Sequence, residues 1–315
     1  MKKRIAALVL CLALVLALSA CGSSGGNLTF GTGGETGTYY AFGGVLAQYV
    51  TSNTDTSVTA VSSKGSQANI EDLHAGDIQL GFVQSDVMSY AYNGERLFED
   101  PITDFSVVAA LYMEQVQIVT LDPEIKTVAD LAGKTVSIGA SGSGVFYNAL
   151  DVLECYGLDY ETDITAVMQD FADSTESLQD GKIDAAFIVA GAPTTAITSL
   201  AATQSVYLVS LDEEHIAALR ETSPYYSPNT IAADVYGTPE DCTTVAVNAI
   251  VIARDDVAET DIYNFVSAIF ENSADLAHAK AAELDINFAA SVTDVPYHPG
   301  AAKYFSEKGI EVPVK

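Results

Sequence analysis

One local pattern occurs twice in this chain and limits what it can fold into. A short apolar strand runs into a glycine-rich loop that opens directly onto a helix. Asn27–Phe30 reads as a strand entering Gly31-Thr32-Gly33-Gly34-Glu35-Thr36-Gly37, and Tyr39–Val50 follows with apolar residues at helical spacing. Thr135–Ile138 then enters Gly139-Ala140-Ser141-Gly142-Ser143-Gly144, and Val145–Tyr156 follows as a helix closed by Gly157. Between them come the strand Ser57–Ser62, the short helix Gln67–Ala75 and the strand Ile78–Val83. A longer Val-, Ile- and Tyr-rich stretch at Val107–Leu121 precedes the second unit. Strands alternating with helices dictate α/β architecture with mainly parallel sheets. Two openings separated by one long strand predict two α/β lobes rather than one continuous sheet. No short-period repeat is present, which excludes a solenoid.

Each glycine loop also has a chemical reading. Where a strand meets a helix start, unpaired backbone N–H groups and the helix dipole form an anion site, and glycines let a ligand approach the backbone. The same loops also serve as tight turns with no ligand, and Tyr39-Tyr40 after the first loop suits either a pocket wall or the core. Nucleotide and esterase motifs fail residue by residue. A dinucleotide loop from Gly31 needs glycine where Thr36 stands, and a P-loop ending at Gly133-Lys134-Thr135 needs glycine where Val128 stands. Gly139-Ala140-Ser141-Gly142-Ser143 lacks the last glycine of a nucleophile elbow. His74, His215, His278 and His298 are dispersed and form no zinc motif, and no acidic stretch has calcium-loop spacing. The sequence therefore calls for no metal, no cofactor and no enzyme. His298, between Tyr297 and Pro299-Gly300, reads as a structural turn rather than a catalytic base.

The start of the chain bears on its compartment. Lys2, Lys3 and Arg4 precede an apolar run from Ile5 to Ala17, shorter than a spanning helix requires. Leu18-Ser19-Ala20-Cys21 resembles a lipobox, so residues 1–20 are expected to be a lipoprotein signal and Cys21 to carry the lipid. Residues 21–27, with Gly22-Ser23-Ser24-Gly25-Gly26, have the composition of a tether. Removing 1–20 takes three basic residues and no acid, leaving 11 Lys and Arg against 42 Asp and Glu, a net charge of −31. Such a surface excludes nucleic acid and anionic lipid head groups as partners. Its 49% hydrophobic content supplies a core that an acidic disordered chain lacks. Cys155 and Cys242 are the only cysteines outside these segments, and a disulfide between them is permitted but not dictated.

The ordered set of motifs is what carries a resemblance. Thr32-Gly33-Gly34-Glu35-Thr36-Gly37-Thr38-Tyr39-Tyr40-Ala41-Phe42-Gly43 resembles the opening of TAXI-type solute receptors of TRAP transporters. Lys64-Gly65-Ser66-Gln67-Ala68-Asn69, Gly76-Asp77-Ile78, Val83-Gln84-Ser85-Asp86 and Gly139–Asn148 follow in the same order. So do Asp180–Ala185, Gly191–Ile197, Tyr297–Ala301 and Tyr304–Gly309, a likeness spanning about 28–310. The resemblance implies a two-lobe periplasmic-binding-protein fold, type II-like, with a hinge and a central ligand cleft. Residues 28–112 and 243–315 would form lobe 1, and 113–242 lobe 2. It implies a monomeric, lipid-anchored extracytoplasmic receptor passing glutamate, glutamine or a related dicarboxylate to an ion-gradient-driven TRAP permease. The site residues it implies are Thr36, Tyr39, Ser66, Gln84, Ser141, Ser143 and Gly191, with Asn69, Asn148 and Thr194 behind them. Glu35 in the first loop and the lack of a placed arginine point to neutral donors or a weakly anionic ligand. A binding subunit of an ATP-driven importer and a sensor for a membrane kinase are the competing readings.

Overall fold

The structure is a computed structural model and describes residues 25–315. The expected signal segment 1–20 and the expected lipid site Cys21 lie outside the described residues. Chain order begins β1 (Asn27–Gly31), α1 (Thr38–Asn53), β2 (Ser57–Val61), α2 (Ser66–Ala75), β3 (Leu80–Gln84), α3 (Ser85–Asn93) and β4 (Phe105–Thr120). It continues through β5 (Thr135–Ser137), α4 (Gly144–Cys155), β6 (Thr165–Val167), α5 (Phe171–Gln179), β7 (Ala185–Ala190) and α6 (Thr195–Ala201). Then come β8 (Tyr207–Leu208), α7 (Glu213–Thr222), β9 (Ser227–Ile231), β10 (Cys242–Arg254), α8 (Glu259–Glu271), α9 (Ile286–Ala289) and α10 (Pro299–Glu307). Among the described residues no helix is long and apolar enough to cross a membrane.

The strands form one hydrogen-bonded path, β2-β1-β3-β10-β4-β7-β5-β6, with β8 on β4 and β9 on β10. The expected separation into two sheets is corrected here: the ladder is continuous. The reason is the length of two strands. β4 pairs β10 along Phe105–Gln115 and β7 along Gln115–Thr120, so one strand serves both halves. β10 likewise pairs β3 through Ala249–Ala253 and β9 through Cys242–Ala246. The outer strands β1, β2 and β3 pair in parallel, as do β5, β6 and β7. These are the two α/β units, each covered by its own helices.

The two lobes are separate in their cores although not in their sheet. One apolar cluster gathers residues from Leu28 to Tyr112 and from Ala249 to Phe305, with Tyr147 reaching in. A second takes Val116 to Val247, and a third packs beneath α5 and α6. Apolar packing thus changes sides between Tyr112 and Val116 on β4, and between Val247 and Ala249 on β10. The β10–β4 register shifts at Ala249/Ile250 and Val251/Ile252, next to that crossing. A bulge bends and twists a strand locally, which suits a crossing between lobes. His298 is buried at the N-cap of α10, where its Nδ1 accepts from Gly300 N at 3.2 Å, and burial holds its pKa below the ordinary value. Cys155 and Cys242 are free thiols.

Candidate functional site

The two glycine loops face each other across a cleft of about 270 Å³ where the lobes meet. Gly33, Gly34, Gly37, Tyr39 and Ser66 line it from lobe 1, and Ala140, Ser141, Ser143, Gly144 and Phe171 from lobe 2. Both loops end at helix starts without a side-chain cap: Gly37 precedes α1 and Ser143 precedes α4. Ser143 occupies an N-cap position, where a hydroxyl ordinarily accepts a backbone N–H of its own helix. Its Oγ does not cap, and it has no hydrogen-bond partner among the described residues although the residue is buried. A buried hydroxyl without a partner at a helix start is one that a ligand or an ordered water would satisfy.

The lobes are closed on one another. Ala68 N donates to Gly142 O at 3.0 Å, Thr38 Oγ1 to Gly191 O at 2.9 Å, and Ala196 N to Thr36 O at 3.1 Å. Lys280 Nζ, buried beside the Tyr112 ring, donates to Ala192 O at 2.9 Å while pairing with Glu283. Glycine is required where the lobes touch. A Cβ on Gly144 would lie 1.6 Å from Gln84 Oε1 and 2.9 Å from Ser66 Oγ.

Deeper in, a polar relay fixes which atom each amide presents. Asp86 Oδ2 accepts from Asn148 Nδ2 at 2.8 Å, so Asn148 turns its Oδ1 to Gln84 Nε2 at 2.9 Å. Gln84 Oε1 is thereby left buried against Gly144 and without a partner among the described residues. Burial first, and then the neighbouring Asp151, push the Asp86 carboxyl up to about 7. Glu114, on β4 at the lobe crossing, is 2% exposed and lines the cleft. The Tyr39 hydroxyl donates to its Oε2 at 2.6 Å, and Tyr39 is itself held by stacking on Phe82 with ring centres 4.5 Å apart. Burial pushes the Glu114 carboxyl up to about 8, against the lowering effects of that hydrogen bond and of Lys280.

This geometry can now be set beside known proteins. A model of the NMT1-like family matches residues 30–309. The chain belongs to the NMT1-like family. That family is one of substrate-binding receptors and not of enzymes. Among solved structures, a protein from Bordetella bronchiseptica RB50 aligns with TM-score 0.53 and 14% identity, covering 83% of this chain and 76% of its own. An ancestral arginine-binding protein bound to arginine aligns with TM-score 0.51 and 14% identity, over 82% of this chain and 98% of its own. The alkanesulfonate-binding protein SsuA from Xanthomonas axonopodis pv. citri, bound to MOPS, gives 0.49 and 16% over 89% and 83%. At this identity the first two likenesses show the fold alone, an α/β fold with a mixed sheet.

In this NMT1-like chain, Tyr39, Ser66, Gln84, Ser141 and Ser143 come together as cleft lining. The other residues expected at the site hold the walls in place. Asn69 Nδ2 donates to Thr32 O and Phe82 O, both at 2.7 Å, and Asn148 joins the relay to Asp86 and Tyr226. Thr36, Gly191 and Thr194 make inter-lobe bonds, with Thr194 Oγ1 donating to Thr36 O at 3.3 Å. Glu35 is exposed and off the lining. Sequence reasoning missed Glu114, Phe171 and the acids Asp170 and Asp173 at the mouth. Glu114 had a readable signal, as the one acid in a largely apolar strand. Phe171 had none.

Proposed function

We propose that this NMT1-like chain is a TAXI-type solute receptor that clamps a small organic acid or amino acid between its lobes for a TRAP permease. Residues 28–112 and 243–315 would act as one jaw and 113–242 as the other, turning on β4 and β10. The observation that carries the reading is the cleft itself. It lies between the two glycine loops, and Ser143 Oγ and Gln84 Oε1 are buried and unpaired in its walls. Backbone N–H groups at the starts of α1 and α4 suit an anionic or carbonyl end of a ligand. The ordered motifs from the first glycine loop to Tyr304–Gly309 support the TAXI assignment, and Leu18–Cys21 supports a lipid anchor on the extracytoplasmic face. Thermal-shift screening against amino acids and dicarboxylates is the test, because a ligand selective for the folded state raises the melting point. A hit whose binding survives simultaneous loss of Ser143 and Tyr39 would place the ligand elsewhere.

A further inference from the structure

Resting on the receptor reading, we propose that Glu114 recognises a protonated amine, so that the ligand is an amine-bearing molecule and not an amine-free dicarboxylate. Three observations converge on this. Glu114 is an acceptor built into the cleft at the lobe crossing: Tyr39 OH fixes its Oε2, while its Oε1 carries no hydrogen bond among the described residues. The relay from Asp86 through Asn148 makes the unpaired atom of Gln84 its oxygen, a buried acceptor packed against Gly144 beside the cleft. The lining holds three acids, Glu114, Asp170 and Asp173, against one cation, the exposed Lys64. A second carboxylate would meet this wall without an arginine to answer it. An ammonium group presents three donors to acceptors otherwise left unpaired.

The groups facing Glu114 decide its protonation. They are Tyr39 from α1, Tyr112 from its own strand, Asp86 from α3 and Lys280. Lys280 is already engaged by Ala192 O and Glu283, so it does not touch Glu114 as a counter-ion. Burial therefore keeps the carboxyl largely neutral at pH 7 before binding, at about 8. An ammonium brought against it favours the ionised form, and the carboxyl releases its proton to solvent as the amine binds.

The test uses pairs differing by one amine: propionate and alanine, glutarate and glutamate, 4-methylpentanoate and leucine. Calorimetry on the purified chain at pH 7 is run in two buffers of unequal ionisation enthalpy. The amine-bearing member of at least one pair should bind tenfold or more tightly, with net release approaching one proton. Glu114→Gln should reduce that preference roughly tenfold and abolish the release. Equal binding by both members of every pair that binds, or proton release unchanged in Glu114→Gln, overturns the amine and leaves the receptor. No binding by any of the six overturns both. The wild-type comparison stands even if the variant folds poorly.

Discussion

The two glycine loops look alike in sequence and are built for different work. The first is tied into its own lobe by its opening residues, while Thr36 O near its end accepts from Ala196 N and Thr194 Oγ1 of the other lobe. Thr32 N and Oγ1 both donate to Val61 O, Asn69 donates to Thr32 O, and Ser63 N donates to Gly33 O at 3.1 Å. The second loop holds itself with one bond, Ser143 N to Ala140 O, and sends Gly142 O across to Ala68 of the opposite lobe. It turns through Gly139 and Gly142 at φ of +87° and +86°, a region glycine enters freely. The first loop is therefore fixed by its own lobe as well as bonded across, whereas the second has few bonds to its own lobe and spends its groups on the partner lobe and the cleft. A strand–glycine loop–helix motif specifies a backbone shape, while its neighbours decide whether that shape is scaffold or contact.

The largest expected effect comes from closing off the contact side. Gly144→Ala places a methyl group where Gln84 Oε1 and Ser66 Oγ sit on the other lobe. It should hold the lobes apart and weaken binding by about a hundredfold, roughly 2.7 kcal/mol. Solution scattering should then lose the contraction that ligand produces in the parent. Gly34→Ala in the first loop meets nothing within 4 Å and should leave closure intact. If Gly144→Ala contracts and binds like the parent, the lobes do not meet at this point and the contrast fails.

A pair of substitutions sharpens the same contrast on stability. Asn69→Ala removes two buried hydrogen bonds from the first loop's side and should cost on the order of 2–3 kcal/mol, lowering the melting point by about 5–10 °C. Ser143→Ala removes a hydroxyl that bonds nothing in the free protein. It should leave the melting point where it is and weaken binding about tenfold. Differential scanning calorimetry with and without ligand separates them. A reversed pattern, with Ser143→Ala the destabilised variant, would make the second loop the scaffold.

The alternation of Gly-bounded strands and helices was enough to read the α/β class and both jaws, because those signals are local. Continuity of the sheet was not, since it depends on β4 and β10 being long enough to pair with both halves. The cleft was half readable. Tyr39, Ser141 and Ser143 flank glycine loops, and such loops announce close approach. Asn69 and Asn148 carry the same amide as Gln84, and nothing local says that the Asn69 amide nitrogen and both Asn148 amide atoms are already engaged inside the protein. Glu114 contributes through burial beside Tyr39, a contact between residues 75 positions apart.

The last predicted effect lies at the seam between the jaws. Asp86 is fully buried, with Asp151, Tyr90, Tyr226 and Arg96 around it, and its carboxyl stands at about 7 against an ordinary 3.8. Between about pH 4 and 7 the folded chain keeps a proton that the unfolded chain has released. Folding stability from this group is then greatest below pH 4, falls as pH rises towards 7, and is level above it. Asp86→Asn cannot titrate, yet its amide oxygen still accepts from Asn148. The variant's melting point, minus the parent's, should therefore climb from pH 4 to 7 and then flatten. Taking the difference cancels the other carboxylates, whose titrations both proteins share. A flat difference across that range would give Asp86 an ordinary carboxylate pKa. The seam would then be wetted in solution, and the closed contact between the two jaws would be looser than the packing around Asp86 implies.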